Sequence, residues 1–201
     1  MEIRDPGDVP GTPPPRGPYH RQPRAHWQQP TYTLPVSVPG DAVMIRTDEI
    51  AVWIGGVRAY PNGFDFVLRA VRGPNRPDAP ESTDASLLRL EVAFGNGSSV
   101  VKHPGPPVPA SVVRTGPDGI TLLLLAGNGG PELWESRYWV HPLPPDGPVT
   151  LTGGWPEPGT PGGSVEFDGT AIRAAAAEAV RLWPDEEFDI PGGAAWSTST
   201  G

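Results

Sequence analysis

The stretch that most restricts the fold is residues 51–72, AVWIGGVRAYPNGFDFVLRAVR, two apolar runs joined by Tyr60-Pro61-Asn62-Gly63. In an extended chain Phe64, Phe66, Leu68 and Ala70 fall on one side, and Asp65, Val67, Arg69 and Val71 on the other. Successive side chains of a strand leave on opposite faces, so this period of two marks a half-buried strand. Pro61 presets φ for a turn and Gly63 tolerates positive φ, so the runs read as a hairpin with a short loop. Gly55-Gly56 interrupts the first run, and paired glycines there signal a bulge or a close backbone approach.

The same pattern recurs along the chain. In residues 86–94, Leu88, Leu90, Val92 and Phe94 alternate with Leu87, Arg89, Glu91 and Ala93, and Asn96-Gly97 turns the chain into residues 98–102. Residues 111–115 and 120–126 flank a turn of sequence GPDG; the second run is apolar on both sides, as a strand covered on both faces would be. Residues 132–141 place Trp134, Ser136, Tyr138 and Val140 on one face and Leu133, Glu135, Arg137 and Trp139 on the other. Residues 149–155 put Val149, Leu151 and Trp155 together, and a short strand follows at 165–167. Residues 34–38 and 43–47 read as edge strands, the first confined there by Pro35 and Pro39. A helix is expected over 170–183, capped by Asp168 or Thr170 and stopped by Pro184. Its apolar face is Ile172, Ala175, Ala176, Ala179, Val180 and Trp183. Many short strands with one late helix predict a mainly β chain: an antiparallel β-sandwich of Ig-like appearance with one C-terminal α-helix.

Ten of the 29 prolines fall in residues 1–39, which have almost no apolar periodicity. Such a segment buries too little surface to offset chain entropy. The expected organisation is therefore a Pro-rich disordered arm at 1–40, the sandwich at 41–184 and an acidic, Gly-rich disordered tail at 185–201. The opening MEIRDPGDVP has no apolar run of signal-peptide type, and the longest apolar run, 120–126, is too short to span a bilayer. The expectation is a cytoplasmic chain with no membrane partner.

The net charge of −8 sits wholly in residues 131–201, which hold 11 acids against 3 bases, while residues 1–130 balance at 12 and 12. Phosphate recognition needs clustered Arg or Lys, so no nucleic-acid partner is expected for the core. Residues 16–27, RGPYHRQPRAHW, have three Arg, two His and two aromatics but no acid. The bland account is a solvated tail. The sharper one is a docking arm for an acidic surface. A protein partner is accordingly expected through the N-terminal arm or the acidic C-terminal third.

Little in the chain points to chemistry. There is no cysteine, which excludes disulfides, thiolate catalysis and zinc–thiolate sites. His20, His26, His103 and His141 show no metal-ligand spacing, and His141 reads as a strand-end residue beside Pro142. Asp65, Glu91, Glu135 and Glu166 face outward from strands, where cross-strand pairing with Arg69, Arg89 and Arg137 accounts for them better than acid–base work. The glycine-rich stretches GNGSS, GNGG and GGS lack the Gly-Lys-Ser/Thr ending and following helix of a phosphate loop. No catalytic residue, metal or cofactor is therefore assigned. The ligand or interface candidates are Trp139, with Arg137 and Glu135 beside it on its strand, and Trp155. An exposed Trp139 would supply a stacking or interface patch.

The succession VWIGGVRAYPNGFDF, LRLEVAFGNG, LWESRYWVHPLPPDGPVTLTGGWP and an Ala-rich helix ending LWP resembles an uncharacterised protein family of high-GC actinobacteria with no known activity. The single Lys102 beside 14 arginines suits GC-rich coding. The resemblance spans about residues 43–184 and implies one compact domain, with no activity to carry over. The expectation leans away from an enzyme: a non-enzymatic accessory or protein-interaction domain. The alternatives are a small-ligand or carbohydrate-binding module using exposed Trp, and a hydrolase with an unrecognised carboxylate pair.

Overall fold

The hairpin at 51–72 becomes the centre of a large antiparallel sheet in a computed structural model that describes residues 25–73, 88–103, 114–116, 119–130, 132–155 and 161–183. In chain order the strands are β1 (Thr33–Leu34), β2 (Val36–Ser37), β3 (Ala42–Arg46), β4 (Ile50–Tyr60), β5 (Gly63–Arg72), β6 (Arg89–Phe94), β7 (Ser99–Lys102), β8 (Arg114–Thr115), β9 (Thr121–Gly129), β10 (Leu133–His141), β11 (Pro148–Gly154) and β12 (Gly162–Asp168). Helix α1 (Gly169–Ala177) and strand β13 (Val180–Arg181) follow. The seven-stranded sheet runs β2-β4-β5-β10-β9-β8, with β3 beside β2 on the same edge of β4. A four-stranded sheet runs β12-β11-β6-β7, and β1 pairs β13 in a separate two-stranded ribbon. All strand pairs are antiparallel.

The two larger sheets share one core. Phe64, Phe66, Leu68 and Ala70 of β5 meet Leu90, Val92 and Phe94 of β6 and Val149 and Leu151 of β11 in a single buried cluster. This is the alternation of the sequence turned into layers; each large apolar side chain so buried contributes roughly 1.5–3 kcal/mol. The sheets have seven and four strands, not the four-plus-three of an immunoglobulin constant domain, so the Ig-like appearance is not confirmed. Helix α1 buries Ile172 and Ala176 in the same core, and Asp168 caps it by accepting from Thr170 N–H at 2.8 Å.

The Gly55-Gly56 pair is a bulge: the β4–β5 register shifts between Gly55 and Arg58, and Gly56 has φ +59°. The extra residue reverses the alternation of β4. Ile50, Val52 and Ile54 face the core before it, and Val57 and Ala59 after it. Arg58 and Tyr60 are thereby turned to the outer face, the side of Asp65.

Two expectations change. The helix ends at Ala177 instead of running through residue 183, because Val180-Arg181 pairs with Leu34-Thr33 and Leu182 N–H donates to Tyr32 O at 2.7 Å. Its last bonds, Glu178 N–H to Ala175 O and Ala179 N–H to Ala176 O, are the tight i→i+3 kind that close a helix. The chain also joins the fold earlier than an arm of residues 1–40 would have it. Residues 25–40 lie within the compact unit Ala25–Asp185 and contribute β1 and β2. Residues 1–24 of the expected arm and the whole expected tail at 185–201 lie outside the described residues. Among the described residues no helix is long and apolar enough to cross a membrane.

Candidate functional site

The outer face of the seven-stranded sheet carries a dense group of polar side chains built around Asp65, the one charged side chain that is buried among the described residues. Asp65 lies in mid-register, directly opposite Arg58 of β4 on one side and Trp139 of β10 on the other. Its side chain is 0 % exposed. Arg58 grips it with two bonds, Nε to Oδ1 at 2.9 Å and Nη2 to Oδ2 at 2.5 Å. Tyr60 Oη donates to Oδ2 at 3.2 Å and Gln29 Nε2 to the same oxygen at 2.7 Å. Arg137 Nε stands 3.5 Å from Oδ2, close enough to attract and too far for a good hydrogen bond.

The charged bonds shift the partners in the expected direction. Hydrogen bonding to Asp65 raises the Arg58 guanidinium above its ordinary value against the opposing effect of burial. Burial, then the Asp65 charge, raises the Tyr60 phenol, which therefore stays a protonated donor.

A strap of main chain closes the site. Residues 25–28 form a turn in which Gln28 N–H donates to Ala25 O at 2.9 Å, and Ala25 N–H donates to the Gln28 side-chain oxygen at 3.2 Å. The sheet holds this turn by side chains. Trp139 Nε1 donates to Trp27 O at 2.7 Å, and Asn62 Nδ2 donates to His26 O at 2.8 Å and to Gln28 O at 3.0 Å. The ring of His141 packs edge-on to His26 at 5.6 Å, and its Nδ1 lies 2.7 Å from Asn62 O. A carbonyl cannot donate, so Nδ1 carries the hydrogen. Burial, and then the neighbouring His26, lower the His141 pKa, partly offset by that hydrogen bond. Gly63 gives the Trp139 indole its seat: a Cβ there would sit 2.7 Å from the ring and against the Val140 carbonyl.

The four candidates are thus separated. Trp139 is 0 % exposed, so it is no open stacking platform; its edge meets Tyr60 at 5.4 Å and its N–H is spent on the strap. Trp155 is buried in the inter-sheet core. Arg137 lies at the rim of the Asp65 group. Glu135 lies further along the sheet and pairs with Arg69 at 2.7 Å, opposite it in register. Glu91 is on the other sheet and pairs with Arg89 at 2.8 Å. Asp65, Glu91 and Glu135 therefore do not converge.

Three contributors escaped the sequence reading: Asn62, taken only as a turn residue; Gln29, placed in the arm; and Arg58. The usable signal was the glycine pair, since a one-residue bulge moves Arg58 to the face of Asp65. Chemically the group is a holding device. A carboxylate has about four acceptor positions, and Arg58, Tyr60 and Gln29 together present four bonds to Asp65. Among the described residues no group of three or more His, Cys, Asp or Glu is arranged to hold a metal ion.

A second feature is the ribbon. Leu34 and Val180 lie opposite each other and are 57 % and 53 % exposed. Leu182 and Trp183, which follow β13, are 50 % and 62 % exposed, with Trp183 edge-on to Tyr32 at 5.9 Å. Comparison with known proteins found no matching family model, no matching curated protein and no matching solved structure.

Proposed function

We propose that this chain is a non-enzymatic interaction domain that docks a protein partner on the β1–β13 ribbon. The observation that carries the reading is the exposure of Leu34 and Val180, opposite each other in the ribbon, and of Leu182 and Trp183 just beyond it, each half or more exposed. Scattered exposed apolar residues need no explanation, whereas a contiguous group is an interaction signal. A partner with an apolar face and a basic rim fits best, because residues 131–201 carry 11 acids against 3 bases. The carbohydrate-binding alternative is weakened because Trp139 and Trp155, its two platforms, are 0 % and 7 % exposed.

The test is a capture experiment from native lysate with the full chain and with a Leu182→Ser/Trp183→Ser double variant. A protein held by the native chain, lost by the variant and weakened by salt at about 0.5 M, where exposed charges are screened, supports the reading. If both chains capture the same set, or neither holds a protein, the reading fails.

A further inference from the structure

We propose that the surface beneath residues 26–29 is a peptide-binding site, and that the strap is its built-in ligand. The class of ligand is an extended or turned peptide offering consecutive backbone carbonyls and one side-chain amide.

The way the strap is held carries the inference. Three successive carbonyls, of His26, Trp27 and Gln28, are each taken by a side chain of the sheet: Asn62 for the first and third, Trp139 for the second. One side chain is read as well, the Gln29 amide by the Asp65 carboxylate. This is how a pocket holds a peptide: main-chain bonds for affinity, one charged bond for selectivity. A strand added to a sheet edge would instead show a backbone ladder, as β2 does further on, where Val36 and Ser37 face Ala59 and Arg58. The strap also arrives already folded, its turn closed by the two bonds between Ala25 and Gln28, and a preorganised ligand loses less entropy on binding.

A second observation points the same way. Asn62 Oδ1 and Arg137 Nε are buried and have no hydrogen-bond partner with the strap in place. Buried polar groups are normally satisfied, so an unused acceptor and an unused donor beside a bound segment are capacity the strap does not fill. A ligand with an N–H for Asn62 and an acceptor for Arg137 would use both. Two guanidinium groups, Arg58 and Arg137, stand against the one carboxylate of Asp65, so that acceptor can be anionic.

The native chain holds its own ligand at the high effective concentration of a tethered segment, on the order of millimolar. A peptide in trans therefore binds weakly until the strap is loosened. This rests on the interaction reading only in taking polypeptide as the ligand; the strap and the ribbon are altered by different substitutions, so either can fail alone.

The experiment uses the full chain and a fluorescein-labelled peptide of residues 25–31, AHWQQPT, read by fluorescence anisotropy. Gln29→Glu sets a second carboxylate against Asp65 and lifts the strap without touching the sheet. The variant should bind the peptide saturably and about tenfold more tightly than the native chain. Adding Asn62→Ala should abolish that gain, and a peptide with Glu in place of Gln29 should not bind. If circular dichroism shows that Gln29→Glu fails to fold, Trp27→Gly is read in its place by the same criteria. Absence of saturable binding by the strap-loosened chain, or binding indifferent to Asn62→Ala, overturns the proposal.

Discussion

Two acids on the outer face of the central sheet invite comparison. Asp65 and Glu135 each stand across a strand pair from an arginine, Arg58 and Arg69 respectively. Arg69 follows Asp65 by four positions on β5, roughly 13 Å at the rise of a strand. In sequence both read as ordinary cross-strand ion pairs. In the fold Glu135 keeps 46 % of its side chain exposed and has one charged partner, whereas Asp65 has none exposed and collects Arg58, Tyr60, Gln29 and the nearby Arg137. The surface pair is screened by water; the buried one has exchanged water for a full set of donors. The same residue types thus do two jobs, and burial under the strap decides which.

Four measurements test that contrast. Arg58→Ala should have the largest effect, a loss of about 3–5 kcal/mol in urea unfolding, because it leaves a buried carboxylate without its main counter-charge. A loss under about 1 kcal/mol would mean that water reaches Asp65 and that the contrast is overstated. Trp139→Phe keeps most of the packing but removes the bond to Trp27 O. It should cost about 1 kcal/mol and speed amide exchange in residues 26–29 ahead of the core. Uniform exchange would deny the strap its separate anchoring. Glu135→Ala should cost only a few tenths of a kcal/mol up to about 1, shrinking further in salt; a cost near that of Arg58→Ala would erase the comparison.

The gentlest test is acidification. The folded state depresses the His141 pKa below its ordinary 6.5. As pH falls through that value the unfolded chain takes up its proton first. The contribution is therefore complete above about 6.5 and is lost as pH drops toward the folded value. Protection of the 26–29 amides should decline over that window in the native chain and stay flat in His141→Gln. A decline of equal size in the variant would assign the effect to another group.

Much of the fold was readable because it depends on local periodicity. The alternations of β5, β6 and β11 fixed which side chains enter the core, and the Gly55-Gly56 pair announced the bulge that the register shows. The helix was readable only at its start. Asp168 capping is local, but its end depends on β1, more than a hundred residues earlier, and the apolar spacing of Val180 and Trp183 is compatible with either outcome until β1 competes for the backbone. The site was the least legible part. Trp139 and Arg137 were singled out on the right strand, Trp139 as a stacking patch if exposed, and nothing in its neighbourhood tells that a turn at residues 25–28 will take its N–H.

By itself, then, the sequence determined a mainly β chain without thiol chemistry, its hairpin, its bulge and the inner and outer faces of most strands, since a strand's pleat ties each side chain's direction to its position along the chain. Only the tertiary structure decided that Asp65 is buried, that Asn62 and Trp139 hold a distant turn, and that residues 180–182 leave the helix to pair with 32–34. The physical reason is range. Pleat and turn preferences act over a few residues, while desolvating a charge or recruiting a strand partner depends on segments from 36 to 148 positions away that meet only when the chain has folded.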